Sequence, residues 1–144
     1  MHIAAWLLSV VLNVFLLVTA PQRGAAFVVK RAIIAMVAAL ATVVILTVTL
    51  YWTGAHPSQA FGNGLFQLTF AILVIAMVNI ANVVFQGMVD SIIAFHQRYN
   101  AANLHRFPIS FLIAHAQHLK IFGTTFWCLG SPLMLYGAWF DMKV

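Results

Sequence analysis

Four long apolar stretches restrict the fold of this chain more than any other feature of its sequence. They cover residues 3–19, 32–52, 65–87 and 121–140. A helix that crosses the hydrocarbon core of a bilayer, about 30 Å thick, needs roughly 20 mostly apolar residues. The residues between the stretches are too few for a separate soluble domain. The pattern therefore predicts an all-α integral membrane protein, with four transmembrane helices in a single domain over residues 1–144.

The scarcity of charge excludes the soluble classes of protein. The chain is 64% hydrophobic and 6% charged, whereas soluble domains are roughly 45–50% apolar and about 25% charged. Seven Lys and Arg residues and two Asp residues carry all the fixed charge, which is too little for a water-facing surface. The sequence pI near 10.0 reflects a deficit of acids rather than a basic patch, so we expect no nucleic-acid partner.

The positive charges predict the orientation in the membrane. Six of the seven fall in the connections on one side, if the helices alternate: Arg23, Lys30, Arg31, Arg98, Arg106 and Lys120. The seventh, Lys143, lies in the C-terminal tail, and residues 53–64 contain no Lys or Arg. Since positive charge favours the cytoplasmic side, both termini should lie outside. We expect a multi-pass protein of a bacterial inner membrane. Its first stretch should be a retained span, because Met1 and His2 lack the positive charge of a signal peptide.

Two spans carry faces of small residues. The second span has Ala32, Ala35, Ala39 and Thr42 on one helical face, and the fourth has Gly123, Gly130 and Gly137 at intervals of seven. Small side chains let helices approach closely in lipid. These faces predict packing, either against another subunit or among the helices of this chain. Ser131 and Pro132 predict a kink or local unwinding in the fourth span.

A polar stripe runs down the third span. It consists of Asn79, Asn82, Gln86 and Asp90, which share one helix face, and Gln97 extends it. Side-chain amides that face lipid would lack hydrogen-bond partners, so this face must meet protein, a ligand or water. One interpretation is a conduction or substrate pathway, with Asp90 as an ion- or proton-binding group. The other is hydrogen bonding between helices, at roughly 0.6–2 kcal/mol for each contact.

The connection over residues 89–120 is basic and rich in histidine. The third span should continue as a helix to about Gln97. After a turn, a second helix should start at Pro108 and lie near the membrane interface before the fourth span. Arg98, Arg106 and Lys120 are candidates for binding anionic lipid headgroups.

Two histidines of this connection are candidate cofactor ligands. His115 and His118 share a helix face, and His105 or His96 would supply a third metal ligand. The identity of such a metal is not indicated. The same pair would also suit axial ligation of haem b, which then requires a partner ligand from His96, another subunit or a non-histidine residue.

The run Arg98 to Pro108 (RYNAANLHRFP), with the length and four spans, resembles the small four-helix membrane enzymes of the eicosanoid and glutathione class. That family needs a Glu and places several spans after this loop, whereas this chain has no Glu and one span there. We therefore assign the chain to no family.

The sequence contains no complete set of catalytic residues, so we predict no catalytic site. We expect a non-catalytic membrane subunit that packs within and stabilises a larger membrane complex, with the lipid bilayer and other subunits as partners. One alternative is a redox membrane anchor that binds haem b or contacts quinone. A second is a small oligomeric transporter or channel that uses the polar stripe.

Overall fold

The computed structural model describes residues 2–141, and Met1 and the tail with Lys143 lie outside the described residues. Five α-helices follow one another: α1 (His2–Arg23), α2 (Ala25–Thr53), α3 (Gln59–Tyr99), α4 (Ile109–Ala114) and α5 (Ala116–Tyr136). A 3-10 helix, Ala101–Asn103, precedes α4, and a π-helix, Gly137–Asp141, follows α5. No strand occurs within residues 2–141, so the all-helical prediction is confirmed. In the same range α1, α2 and α3 are long and apolar enough to cross a membrane. The fourth predicted span, in α5 and the π-helix, is not among the helices that meet this criterion.

Glycine and serine set the ends of the first three helices. Gly24 separates α1 from α2 with a φ of 79°, and Gly54 ends α2 with a φ of 66°. Glycine adopts such backbone angles without steric cost. Ser58 caps α3 by accepting a hydrogen bond from the backbone N–H of Phe61 at 3.3 Å. The helix α1 continues through Pro21, and the turn between α1 and α2 is confined to Gly24.

The central helix of the bundle is α3. It packs against α2 on one side and against α1 and α5 on the other, and α1 also contacts α5. One apolar cluster joins α3 to the end of the chain through Ala71, Leu135, Ala138 and Trp139. A second joins α1, α2 and α3 through Ala20, Val28 and Val83. Of the three long apolar helices, α2 is the least enclosed, since none of its most apolar 18-residue stretch is buried.

The length of α3 is the most unusual feature of the fold. Its 41 residues correspond to roughly 60 Å at 1.5 Å per residue. The expectation that the third span continues as a helix to about Gln97 is confirmed, because α3 ends at Tyr99. A helix also follows Pro108 as predicted, with α4 beginning at Ile109 and contacting α3. We call residues 88–120, which comprise the end of α3, the 3-10 helix, α4 and the start of α5, the basic hairpin.

The glycines of α5 do not form one continuous contact. A Cβ atom at Gly123 would overlap the ring of Phe85 on α3, whereas Gly130 has no atom within 4 Å of that position. At Gly137 the nearest atom is a carboxylate oxygen of Asp141 at 4.0 Å. Gly123 therefore serves packing within this chain. The helix α5 runs on through Pro132 without a break.

Candidate functional site

The polar stripe of α3 faces α1 and α5 inside the bundle. Asn82 is 0% exposed and Asn79 is 5% exposed. Their amides form hydrogen bonds with polar side chains of the neighbouring helices. The prediction that this face must meet protein, a ligand or water therefore has its answer in protein contacts within the chain. We call the resulting row of contacts the polar ladder; its members are Asn13, Asn79, Asn82, Gln86, Asp90, Lys120, Thr124 and Ser131.

The middle of the polar ladder is centred on the hydroxyl of Thr124 on α5. It donates a hydrogen bond to Oδ1 of Asn82 at 3.0 Å and accepts one from Nε2 of Gln86 at 3.2 Å. A threonine hydroxyl can donate once and accept at the same time. One side chain of α5 therefore binds two successive members of the stripe.

The deeper part of the polar ladder includes a residue from α1. Asn13, which is fully buried, donates from Nδ2 to Oγ of Ser131 on α5 at 2.6 Å. Its Oδ1 accepts a hydrogen bond from Nδ2 of Asn79 at 3.1 Å. Asn79 also donates to the backbone carbonyl of Ile75 at 2.9 Å. Asn13 thus links all three helices.

An ion pair closes the other end of the polar ladder. The ammonium of Lys120 on α5 donates to Oδ1 of Asp90 on α3. The side chain of Asp90 is 63% exposed and that of Lys120 is 22% exposed, so this pair lies at the surface of the bundle. Lys120, a predicted headgroup-binding residue, therefore already has an anionic partner.

The members on α3 and α5 occur at matching intervals in opposite directions. Asp90 and Asn79 are separated by eleven residues, and so are Lys120 and Ser131. Gln86 and Thr124 each lie four residues from the charged end. In antiparallel helices this spacing brings Asp90 and Lys120, Gln86 and Thr124, and Asn79 and Ser131 to the same heights, whereas Cys128 stands at the position that matches Asn82. That agreement was available in the sequence and would have identified Thr124 and Ser131 as partners of the stripe.

Asn13 was also missed from the sequence. Its signal is weaker, since it is a single amide in an apolar span and its neighbour Ser9 bonds the carbonyl of Ala5 in its own helix at 2.8 Å. Two buried atoms of the polar ladder have no hydrogen-bond partner within residues 2–141, Oδ1 of Asn79 and Nδ2 of Asn82.

An open cleft of about 610 Å³ adjoins the charged end of the polar ladder. Gln86, Asp90, Lys120 and Thr124 line it, with residues from the end of α1 and the start of α2. The polar ladder holds amides and hydroxyls inside and an ion pair at its edge. The buried part of the polar ladder, made of amides and hydroxyls, therefore offers hydrogen bonding, and its titratable groups, Asp90 and Lys120, lie at the edge.

The histidine pair lies on the surface of the basic hairpin. His115 and His118 are both exposed, with ring centroids 6.0 Å apart. The His115 ring stacks on Phe111 at 4.4 Å, and its Nδ1 lies 3.1 Å from the Phe111 carbonyl. No group of three metal-ligating side chains occurs in the described part of the chain. The expectation that the two share a helix face is wrong, because His115 lies at the junction between α4 and α5, whereas His118 lies in the first turn of α5.

The other cations of the basic hairpin remain at its surface. Arg98 is exposed, with its guanidinium 5.3 Å from the ring centroid of Tyr99, and Arg106 is exposed next to the turn. His96 is half-buried, and its Nδ1 lies 3.3 Å from the amide of Asn100.

Comparisons with protein-family models, with curated proteins and with solved structures find no match to this chain.

Proposed function

We propose that this protein is a non-catalytic, multi-pass membrane subunit that packs within and stabilises a larger membrane complex. In this proposal α1, α2, α3 and α5 with its π-helical end cross the bilayer. Both termini lie outside, and the basic hairpin lies in the cytoplasm. The one-sided distribution of Lys and Arg supports this orientation. The length and composition of α1, α2 and α3 support membrane insertion.

The observation that carries the proposal is the unbroken course of α3 beyond its apolar part. The third apolar stretch ends at Gly87, and the ion pair of Asp90 marks the polar boundary. Phe95 and Tyr99 lie eight and twelve residues past Gly87, or about 12 and 18 Å further along the helix. The headgroup layer adds only roughly 5–8 Å on each side of the hydrocarbon core. An upright α3 therefore places these rings beyond the reach of the bilayer.

These rings form one of two exposed aromatic pairs in the basic hairpin: Phe95 with Tyr99, and Phe107 with Phe111. The hairpin leaves at least about half of each of four rings uncovered: Phe95, Tyr99, Phe107 and Phe111. Phe107 is the most open, at 82% exposure. Arg98 and Arg106 lie among them. Apolar patches with a polar rim mark interaction sites, and interface centres are enriched in aromatic residues and Arg. A protein partner that covers these rings on the basic side of the membrane would explain why they are aromatic although lipid does not reach them.

The proposal is tested by capturing partners from native membranes. The double variant Phe95→Ala, Tyr99→Ala is compared with Ser91→Ala, Gln97→Ala, which changes exposed residues on the same turns of α3. After mild extraction, quantitative mass spectrometry should find defined partners with the wild type and the control, and their loss with the aromatic variant. A chain that is a monodisperse monomer in native membranes, or partners retained equally by both variants, would contradict the proposal.

A second candidate function is a small transporter or channel, which the cleft of about 610 Å³ beside Asp90 and Lys120 supports. If solute passes through it, Asp90→Asn should abolish proton or potassium flux in proteoliposomes. Asp141→Asn, which changes the other carboxylate of the chain, should not. Unchanged flux in the Asp90 variant would refute this function.

A further inference from the structure

A groove separate from the polar cleft runs between α1, α2 and α3 and has a volume of about 540 Å³. Beyond Phe27, Val28 and Arg31, its α2 wall consists of small side chains: Ala32, Ala35, Ala38, Ala39 and Thr42. The walls from α1 and α3 are mostly apolar, with Leu12, Leu16 and Ile72 among them. Small residues normally let helices close together. Here they leave an open apolar channel along the bundle instead.

One end of the groove is cationic. Arg23 and Arg31 line it, and their guanidinium groups lie 5.5 Å from the ring centroids of Phe15 and Phe27. Within residues 2–141 neither arginine forms an ion pair. The two carboxylates of the chain, at positions 90 and 141, do not line the groove. Two cations at the mouth of an apolar groove fit an anionic group attached to a hydrocarbon chain.

The α2 wall of the groove beyond Arg31 is as long as one leaflet of a bilayer, and the α3 wall, from Leu65 to Asn79, is fourteen residues or about 21 Å long. Arg31 and Thr42 both line it and are eleven residues apart on α2, which corresponds to about 17 Å. Half of a hydrocarbon core of about 30 Å is roughly 15 Å, the depth that one acyl chain spans. The cations lie on the basic side, so the chain would come from that leaflet.

A buried polar side chain in the lining has one unused hydrogen-bond acceptor. Asn79 lines the groove and is 5% exposed, and its Oδ1 accepts no hydrogen bond within the described residues. A buried acceptor without a donor is destabilising. This oxygen has less than 1 Å² of accessible surface, so a lipid hydroxyl or a water in the groove would supply the missing donor once the Asn79 amide turns toward it.

We propose that this groove binds an anionic phospholipid from the basic-side leaflet. Its phosphate lies between Arg23 and Arg31, and one acyl chain lies along the alanines of α2. The site rests on the proposed membrane location, but it is formed by one chain and needs no partner protein. Arg23 and Arg31 thereby join the headgroup-binding residues that the sequence suggested in the basic hairpin.

The test is lipid binding by the purified full chain. Phosphatidylglycerol and phosphatidylcholine are titrated separately into the protein in detergent, and native mass spectrometry measures the bound fraction. Arg31→Gln and Arg23→Gln are compared with Lys30→Gln, which removes the same charge from an exposed neighbour outside the groove. Ala35→Phe fills the groove, and Ala41→Phe places the same ring on α2 away from it.

We expect one phosphatidylglycerol per chain, held more tightly than phosphatidylcholine. Each arginine variant should weaken binding about fivefold and the pair roughly thirtyfold. Ala35→Phe should abolish binding, whereas Lys30→Gln and Ala41→Phe should bind as the wild type does. Circular dichroism checks that Ala35→Phe is folded, and the arginine series decides the question if it is not.

Equal weakening by Lys30→Gln, or equal affinity for the two lipids, would overturn the proposal. So would a photo-crosslinker at Ala35 that labels a protein in native membranes, since the groove would then hold a partner helix. None of these results affects the partner capture that depends on Phe95 and Tyr99, so the two proposals fail separately.

Discussion

Replacing Thr124 by Val tests whether the polar ladder holds α5 against α3. The change keeps the side-chain shape and removes the hydroxyl that donates to Asn82 at 3.0 Å and accepts from Gln86 at 3.2 Å. Hydrogen bonds between membrane helices contribute on average about 0.6 kcal/mol and up to about 1.7 kcal/mol each. Asn82 is fully buried, and its Nδ2 has no partner within residues 2–141. Without the Thr124 hydroxyl, the buried Oδ1 of Asn82 loses its shortest hydrogen bond and stays shielded from water, which adds a desolvation cost. We therefore expect the free energy of unfolding to fall by about 1–3 kcal/mol in total.

The assay is reversible unfolding in mixed micelles with a rising fraction of sodium dodecyl sulfate, followed by tryptophan fluorescence. Two tryptophans report on contacts between α1 and the C-terminal part of the chain. Trp6 donates to the carbonyl of Pro132 at 3.1 Å, and Trp139 donates to Oγ of Ser9 at 3.2 Å. Their emission should therefore change when α5 separates from the bundle.

The matched control is Thr125→Val, the same substitution at the next residue of α5, whose side chain is exposed and outside the polar ladder. A double-mutant cycle of Thr124→Val with Asn82→Ala should give a coupling energy of about 0.6–1.7 kcal/mol. A loss below about 0.5 kcal/mol, equal to that of the control, together with zero coupling, would refute a stabilising role for the polar ladder.

Three further predictions use the same unfolding assay. Gly123→Ala should destabilise by about 1–3 kcal/mol because its methyl group overlaps Phe85, whereas Gly130→Ala, with open space, should be neutral or slightly stabilising; equal effects would contradict the close contact. Asn13→Leu should cost about 1–3 kcal/mol, since it removes bonds to two helices; a stability like that of the wild type would show that the α1 bridge is dispensable. Lys120→Met should cost less than about 1 kcal/mol and less still at high salt, because its carboxylate partner is largely exposed; a larger loss, insensitive to salt, would mean that the ion pair is shielded from solvent.

Helix positions could be predicted from the sequence because hydrophobic length is a local property. Every predicted span lies within helix, and the continuation of α3 to Tyr99 was also expected.

The partners of the polar stripe were harder to predict because they depend on which helices meet. A polar stripe on one helix requires hydrogen-bond partners. The stripe alone does not specify whether those partners come from a ligand, another chain or the same chain. In the structure, Thr124 and Ser131 of α5 and Asn13 of α1 supply it. A matching polar spacing on a second helix is the signal that identifies which helix supplies the partners. The match is seen when one helix is numbered forwards and the other backwards, as antiparallel packing requires.

The uneven spacing of the polar ladder also determines where the basic hairpin lies. Polar members of α3 occur at intervals of three, four and four residues. If α5 slid by one turn, Lys120 would come opposite Ala94 and Asn79 opposite Leu135, leaving a cation and a buried amide unpaired. Apolar helices in lipid have no comparable penalty for sliding, because their side chains are equally compatible with lipid tails. The polar ladder therefore opposes this sliding of α5 against α3, and with it a displacement of the basic hairpin that joins the two helices.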